Sequence, residues 1–202
     1  MRKLYIIGAS GHGKVVADIA KLNGFTDIYF LDDDQSKRHC GIYDVVGATN
    51  EVPKGQEVFV AVGNTDIRQH LCQKYYDQLV TLIHPSSVIA DNVKIGRGTV
   101  IMAGAVVNPD SIVGDGCIIN TSASVDHDNV IGNYSHISVG SHLAGTVHIG
   151  ENCWIGIGAV VSNNIDICSD TTVGAGATVV RDITEPGTYI GVPAVKMGGG
   201  TT

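Results

Sequence analysis

Residues 113–155 read, six at a time, VGDGCI, INTSAS, VDHDNV, IGNYSH, ISVGSH, LAGTVH, IGENCW and I. Each group opens on an aliphatic residue, and the register runs on in both directions. Positions 83, 89, 95, 101, 107, 113, 119, 125, 131, 137, 143, 149, 155, 161, 167, 173 and 179 are all Ile, Leu or Val. Neither a helix nor a simple strand repeats in six, so the pattern belongs to a stacked repeat. Two residues before the aliphatic the side chain is often small: Ala105, Ser111, Ala123, Ser135, Ser141, Ala159, Ala177. A large and a small side chain alternating into a narrow interior suits a parallel β-helix, in which each coil buries only against its neighbours. A longer period of eighteen lies over the six: Gly96, Gly114, Gly132 and Gly150 each follow their aliphatic, and Cys168 ends the series. One coil is therefore three hexads around a triangular prism. From Ile89 there is room for a little over five coils, roughly 25 Å of stacked strands.

The chain upstream of residue 82 has a different character. Leu4 to Ile7 is an apolar strand ending in Gly8-Ala9-Ser10-Gly11-His12-Gly13. Lys14 to Leu22 carries apolar residues at helical spacing and stops at Asn23-Gly24. A second strand, Ile28 to Leu31, ends in Asp32-Asp33-Asp34, and a third, Val58 to Val62, leads through Gly63-Asn64 into a helix over 65–76. The sequence thus predicts a small α/β (Rossmann-like) unit with a parallel sheet over 1–82, a β-helix over 83–182, and a tail over 183–202.

Bulk properties narrow the function. The 202 residues include 13 Lys and Arg against 20 Asp and Glu, a net charge of −7 with no basic run. Nucleic acid and anionic membrane surfaces are poor partners for such a chain. The N-terminus lacks the form of a signal peptide, and no apolar stretch approaches membrane-spanning length. Five cysteines, an odd number without a CxxC pair, read as reduced thiols of a cytoplasmic protein.

The candidate sites follow from position. Gly8 to Gly13 ends a strand and opens a helix, where glycine N–H groups can approach a phosphate. Its order, G-x-x-G-x-G, is not the dinucleotide fingerprint, and about 80 residues amount to a mononucleotide-sized half. Asp32, at the end of the second strand, can accept from a ribose hydroxyl. His127 lies near a prism corner between Asp126 and Asp128, whose carboxylates would raise its basicity and set its tautomer. Gly145 is eighteen residues further, on the same corner; it leaves room for a thioester, and its N–H is a candidate oxyanion donor. His136, His142 and His148 recur every six, hence on three different faces, and could converge on a metal only between subunits. An inward Asn120 could form a structural ladder.

The chain resembles the bacterial sialic-acid O-acetyltransferase-like family of left-handed β-helix acyltransferases. Within it the resemblance is to the N-acetyltransferases of nucleotide-linked 4-amino-4,6-dideoxy sugars. It is carried by the Gly8–Gly13 run, Phe30-Leu31-Asp32-Asp33, Ala61-Val62-Gly63-Asn64, Asn120-Thr121, Asp126-His127-Asp128, the stretch Ser135 to Gly140, and Gly191-Val192-Pro193-Ala194. The usual residue after the histidine in that family is Glu; here it is Asp128. The resemblance implies left-handed coils, acetyl-CoA as co-substrate with no metal, and a homotrimer with CoA between subunits. It makes His127 the base, with Asp128 orienting it. It gives Ser10, Gly11, His12, Asp32, Asp33, Gly63 and Asn120 to the nucleotide-sugar, and His136, Gly145, Ile157 and Ala175 to acetyl-CoA. The alternatives are a sugar O-acetyltransferase of the sialic-acid type, a trimeric β-helix metal lyase, and a non-catalytic scaffold.

Overall fold

The structure, a computed structural model, describes residues 2–198, and the chain divides after Pro85 into two compact units. The last four residues of the expected tail lie outside the described residues.

In the first unit β1 (Lys3–Ile7) runs into α1 (Gly11–Leu22) and β2 (Asp27–Leu31). There follow β3 (His39–Cys40), β4 (Tyr43–Gly47), β5 (Glu57–Val60) and α2 (Thr65–Lys74). The sheet order is β3-β4-β2-β1-β5, with β1 parallel to both β2 and β5. Central β1 therefore buries Leu4, Ile6 and Ile7 completely, and α1 covers the sheet with Val16, Ala17, Ile19 and Ala20. The helix stops where Gly24 takes the left-handed region (φ +86°), a conformation that glycine adopts without steric cost. Two features differ from the sequence reading. α1 begins at Gly11 and not Lys14, because its first turn is glycine-rich and carries no apolar period. A hairpin, β3 antiparallel to β4, extends the sheet beyond β2. Its strands are short and only half-buried, so no apolar run betrays them.

In the second unit the hexads become three parallel sheets. Val107, Val125, Leu143, Val161 and Val179 stack in register on one face. Val113, Ile131, Ile149 and Ile167 stack on the second, and Ile101, Ile119, Ile137, Ile155 and Val173 on the third. All of these aliphatics are buried, as are the small partners Ala105, Ser111, Ala123, Ser135, Ser141, Ala159 and Ala177. At roughly 1.5–3 kcal/mol for each large aliphatic, this column is the main source of the unit's cohesion. Ile89 and Ile95, in the first coil, stay partly exposed because they have a neighbouring coil on one side only.

Each corner has one further rule. The fourth residue of every hexad from Asn92 to Gly176 sits in the left-handed region, with φ from 56° to 68°. Gly, Asn and Asp tolerate that backbone best. The glycines that follow an aliphatic have another reason: a Cβ at Gly132 would stand 2.5 Å from the carbonyl carbon of Gly150 in the next coil. Past residue 182 a strand, Gly187–Ile190, adds in parallel to Thr171–Val173 and folds back antiparallel through Val195–Lys196.

Candidate active site

The turn after Ser124–Val125 carries Asp126, His127 and Asp128. Asp128 occupies the left-handed corner position, with φ +58°. That backbone suits Asp, and it brings the carboxylate back onto the preceding ring: Nδ1 of His127 lies 2.7 Å from Oδ2 of Asp128. The contact leaves Nε2 as the ring nitrogen without a hydrogen-bond partner among the described residues. Hydrogen bonding to Asp128, reinforced by the charges of Asp126 and Asp128, holds the imidazole above its ordinary pKa in spite of some desolvation. Asp126 anchors the turn: its Oδ1 accepts from the His127 backbone N–H at 2.9 Å and from Asn108 Nδ2 at 2.8 Å. Those bonds keep Asp126 below the usual carboxylate pKa, hence charged. Both His127 and Asp128 are more than half exposed, as a base meeting an external substrate requires.

Gly145, one coil further along, packs against the ring. A Cβ built on it would stand 2.5 Å from His127 Cε1 and 2.6 Å from Nε2. The space that this glycine keeps open is therefore filled by the imidazole itself, a correction to the expectation that it leaves room for a thioester. A side chain at 145 would evict the ring.

Asn120 and His136 come together. Nδ2 of Asn120 lies 3.0 Å from Nε2 of His136, while Oδ1 accepts from the Thr121 N–H. With its oxygen so engaged, the amide presents its N–H to the ring, and His136 Nε2 is the acceptor. His136 also stacks on Trp154, with centroids 5.7 Å apart and planes 9° from parallel. Trp154 is one coil above and half exposed, a flat surface that the sequence reading passed over. Its spacing of eighteen from His136 was the signal. Ile157 and Ala175 are exposed corner residues one coil apart. His136, His142 and His148 stand on three different sheets, and among the described residues no three metal-ligating side chains gather. His142 is bonded to Ser124 and His148 to Asp166.

In the α/β unit, Gly8, Ser10 and Gly11 follow β1, and Ala61 to Gly63 follow β5. The connections from β1 and β5 leave in opposite directions along the sheet, so this is the switch point where α/β sheets hold ligands. The glycines there divide into two kinds. A Cβ at Gly8 would strike the Ala61 carbonyl, and one at Gly13 the Gly8 carbonyl; these allow the chain to pack. Gly11 and Gly63 have open space above them. Ser10 caps α1 with its backbone only, so the first turn's N–H groups face outward without a side-chain cap. A cavity of about 650 Å³ opens here, lined by Gly8, Asp32, Asp33, Val62, Ile67 and His70 among others.

The two acids have structural work as well. Asp32 accepts from the Ala9 N–H (2.8 Å), the Asp34 N–H (3.0 Å) and Lys37 Nζ (2.9 Å). Burial alone would raise its pKa, but these bonds together bring it below the ordinary value. Asp33 accepts from the backbone and hydroxyl of Thr49. His12 is largely buried, and burial with nearby Arg68 pushes its pKa down to about 4, so it is neutral. Arg68, fully buried, donates to the carbonyls of Val62 and Gly63 and fixes that loop. An isolated arginine in a helical pattern carries no sign of such a role.

Comparison with known proteins follows these two halves. Residues 3–75 match the PglD N-terminal domain, and residues 92–127 and 146–181 match the bacterial transferase hexapeptide (six repeats). Over its whole length the chain is similar to the acetyltransferase domain of PglB from Neisseria gonorrhoeae FA1090. The identity is 40%, covering 98% of this chain and 100% of that one, with a TM-score of 0.93. That domain is also known in complex with acetyl coenzyme A. PerB from Caulobacter crescentus, in complex with CoA and GDP-perosamine, is 40% identical over 98% of each chain, with a TM-score of 0.91. The UDP-N-acetylbacillosamine N-acetyltransferase of Bacillus subtilis (strain 168) is 36% identical over 113 residues, 51% of this chain and 52% of that protein. The match thus spans about half of that relative's length.

Proposed function

Because the chain belongs to the sugar N-acetyltransferases built from a PglD N-terminal domain and bacterial transferase hexapeptide repeats, we propose that it transfers acetyl from acetyl-CoA to the 4-amino group of a nucleotide-activated amino-dideoxy sugar. The observation that carries the reading is the His127–Asp128 contact at an exposed corner, with Gly145 packed against the ring. An ammonium group is not nucleophilic; it must lose a proton to attack a thioester. The amine therefore attacks in its neutral form, and His127 Nε2 takes the proton that its nitrogen sheds as the C–N bond forms. Asp128 on Nδ1 fixes the tautomer and stabilises the imidazolium that results. The N–H of Gly145 is the proposed donor to the oxyanion. The C–S bond then breaks, and the thiolate of CoA leaves. Transfer is direct. Cys117 and Cys153 point into the prism, donating to carbonyls, and burial pushes the Cys153 thiol up to about 11, far from a thiolate nucleophile.

The His136–Trp154 pair, with Ile157 and Ala175, is the proposed acetyl-CoA surface, and Asn120 beside it remains a proposed contact of the nucleotide-sugar; a flat stacked pair and apolar corners suit pantetheine and adenine. Ser10, Gly11 and Gly63 are the proposed nucleotide-diphosphate contacts, supported by the open glycines and the uncapped helix start. A homotrimer is supported by Ile112 and Val130, exposed apolar side chains stacked in register on one face of the solenoid. Among the described residues no helix is long and apolar enough to cross a membrane. We place the protein in the cytoplasm, consistent with cysteines that form no disulfide among the described residues. The test is thiol release from acetyl-CoA with a panel of UDP-, GDP- and dTDP-linked amino sugars, the product's linkage read by NMR. An N-acetyl product from one of them is expected. An O-acetyl product, or release with free sugars only, would overturn the reading.

A further inference from the structure

We propose that Asn129 is a positioning residue for His127, clasping the turn that carries the base to the turn that carries Gly145. The proposal rests on the reading of His127 as the base. Position 129 is one of the inward positions two before an aliphatic, and no other of these holds an amide. Asn129 is fully buried. Its Nδ2 donates to the carbonyls of Asp126 (2.6 Å), Ala144 (3.0 Å) and His127 (3.3 Å). Its Oδ1 accepts from the Val147 N–H at 3.0 Å. Two of these partners lie in the base's own turn, and two lie on either side of Gly145 in the next coil.

Comparison within the solenoid shows that this is more than the fold needs. At equivalent inward positions a single hydroxyl closes the step between coils. Thr99 Oγ1 donates to the Gly114 carbonyl and accepts from the Cys117 N–H. Ser135 makes the matching pair with Gly150 and Cys153. A serine at 129 would provide that link and nothing else. The two additional bonds go to the backbone carbonyls of residues 126 and 127; the first also accepts from Ser111 Oγ, whereas the bond to the base's own carbonyl comes from Asn129. Burying an amide is costly unless every polar atom is paired, and here each one is. The consequence is functional: His127 must hold its position relative to Asp128 Oδ2 and the Gly145 backbone to within a fraction of an ångström to present Nε2.

The experiment compares Asn129→Ser with Thr99→Val, which removes the same kind of coil link between coils that carry neither the base nor Gly145. His127→Ala is the third arm. Asn129→Ser should lower kcat about tenfold or more, with the KM for acetyl-CoA little changed. The acidic limb of its pH–rate profile should move to lower pH, because a loosened turn weakens the Nδ1–Asp128 bond that raises the ring's pKa. Thr99→Val should lose thermal stability and keep both kcat and the profile. If Asn129→Ser is insoluble, Asn129→Thr, copying the residue found inward at Thr99 and Thr171, is read by the same two outcomes. Wild-type kcat and an unmoved profile in the position-129 variant, with stability lost as in Thr99→Val, would overturn the proposal. If His127→Ala is itself near wild type, it is the reading of the base that fails.

Discussion

Replacing Gly145 by Ala isolates the geometry of the base from its chemistry, since it leaves every titratable group in place. The added methyl would stand 2.5 Å from Cε1 and 2.6 Å from Nε2 of His127, and 3.2 Å from Nδ1. Carbon atoms settle at about 3.5–4 Å, so the ring must retreat by about 1 Å or rotate away. Gly145 is not among the residues with positive φ, so the backbone accepts alanine without strain. The imidazole is more than half exposed, so the fold gives up little when it moves. A displacement of about 1 Å at a catalytic group costs on the order of 10²-fold. Gly145→Ala should therefore lower kcat about 10²-fold, with a melting temperature close to that of the parent. The assay is thiol release from acetyl-CoA at saturating acceptor, paired with thermal melting. Parental turnover in a folded Gly145→Ala protein would refute the packing argument, because it would mean that the ring does not need the place it holds.

Other consequences can be checked separately. Asp128→Asn removes the main cause of the raised His127 pKa; the base must be neutral to act, so activity rises with pH through that pKa. The variant's rising limb should shift to lower pH, with kcat reduced less than in His127→Ala; an unmoved limb would count against the Asp128 contact. Ile137→Asp puts an unpaired charge at a position with no exposure and should abolish folding of the solenoid, since such burial costs several kcal/mol; a folded, active variant in circular dichroism would contradict the assigned register. Asp32→Asn removes the ion pair to Lys37 and should destabilise by roughly 1–3 kcal/mol. Because the folded Asp32 pKa lies below its unfolded value, that contribution is present above the usual carboxylate range and lost as pH falls through the folded pKa. Denaturation at pH 7 and at low pH should show the gap between parent and variant closing in acid.

The sequence was most legible where one rule repeats. The six-residue aliphatic register predicted the buried columns because each coil buries against an identical neighbour, so every position repeats the same message. The histidine triplet at spacing six was legible for the same reason: a prism with three faces must separate His136, His142 and His148. The eighteen-residue step pairs His136 with Trp154, although only the coordinates show that their rings lie parallel. What stayed hidden depends on single contacts. Asn129 broke the small-residue pattern, yet its four partners come from two turns eighteen residues apart. Asp32 looked like a ribose acceptor because it ends a strand; that it holds Ala9 and Lys37 follows from where those atoms fall. The β3–β4 hairpin was missed because its half-buried strands lack a continuous apolar run. Gly145 was picked out by spacing alone, and only the ring position shows what it accommodates.

The central claim is that an imidazole on a solenoid corner takes the proton from a sugar amine. The direct measurement is the kcat of His127→Ala with acetyl-CoA and the nucleotide-linked amino sugar that the parent accepts. Loss of a general base should lower kcat by roughly 10²–10⁴-fold and abolish the rising limb of the pH–rate profile, while the protein still folds and binds acetyl-CoA. Near-parental turnover in that variant, with the limb intact, would contradict the account.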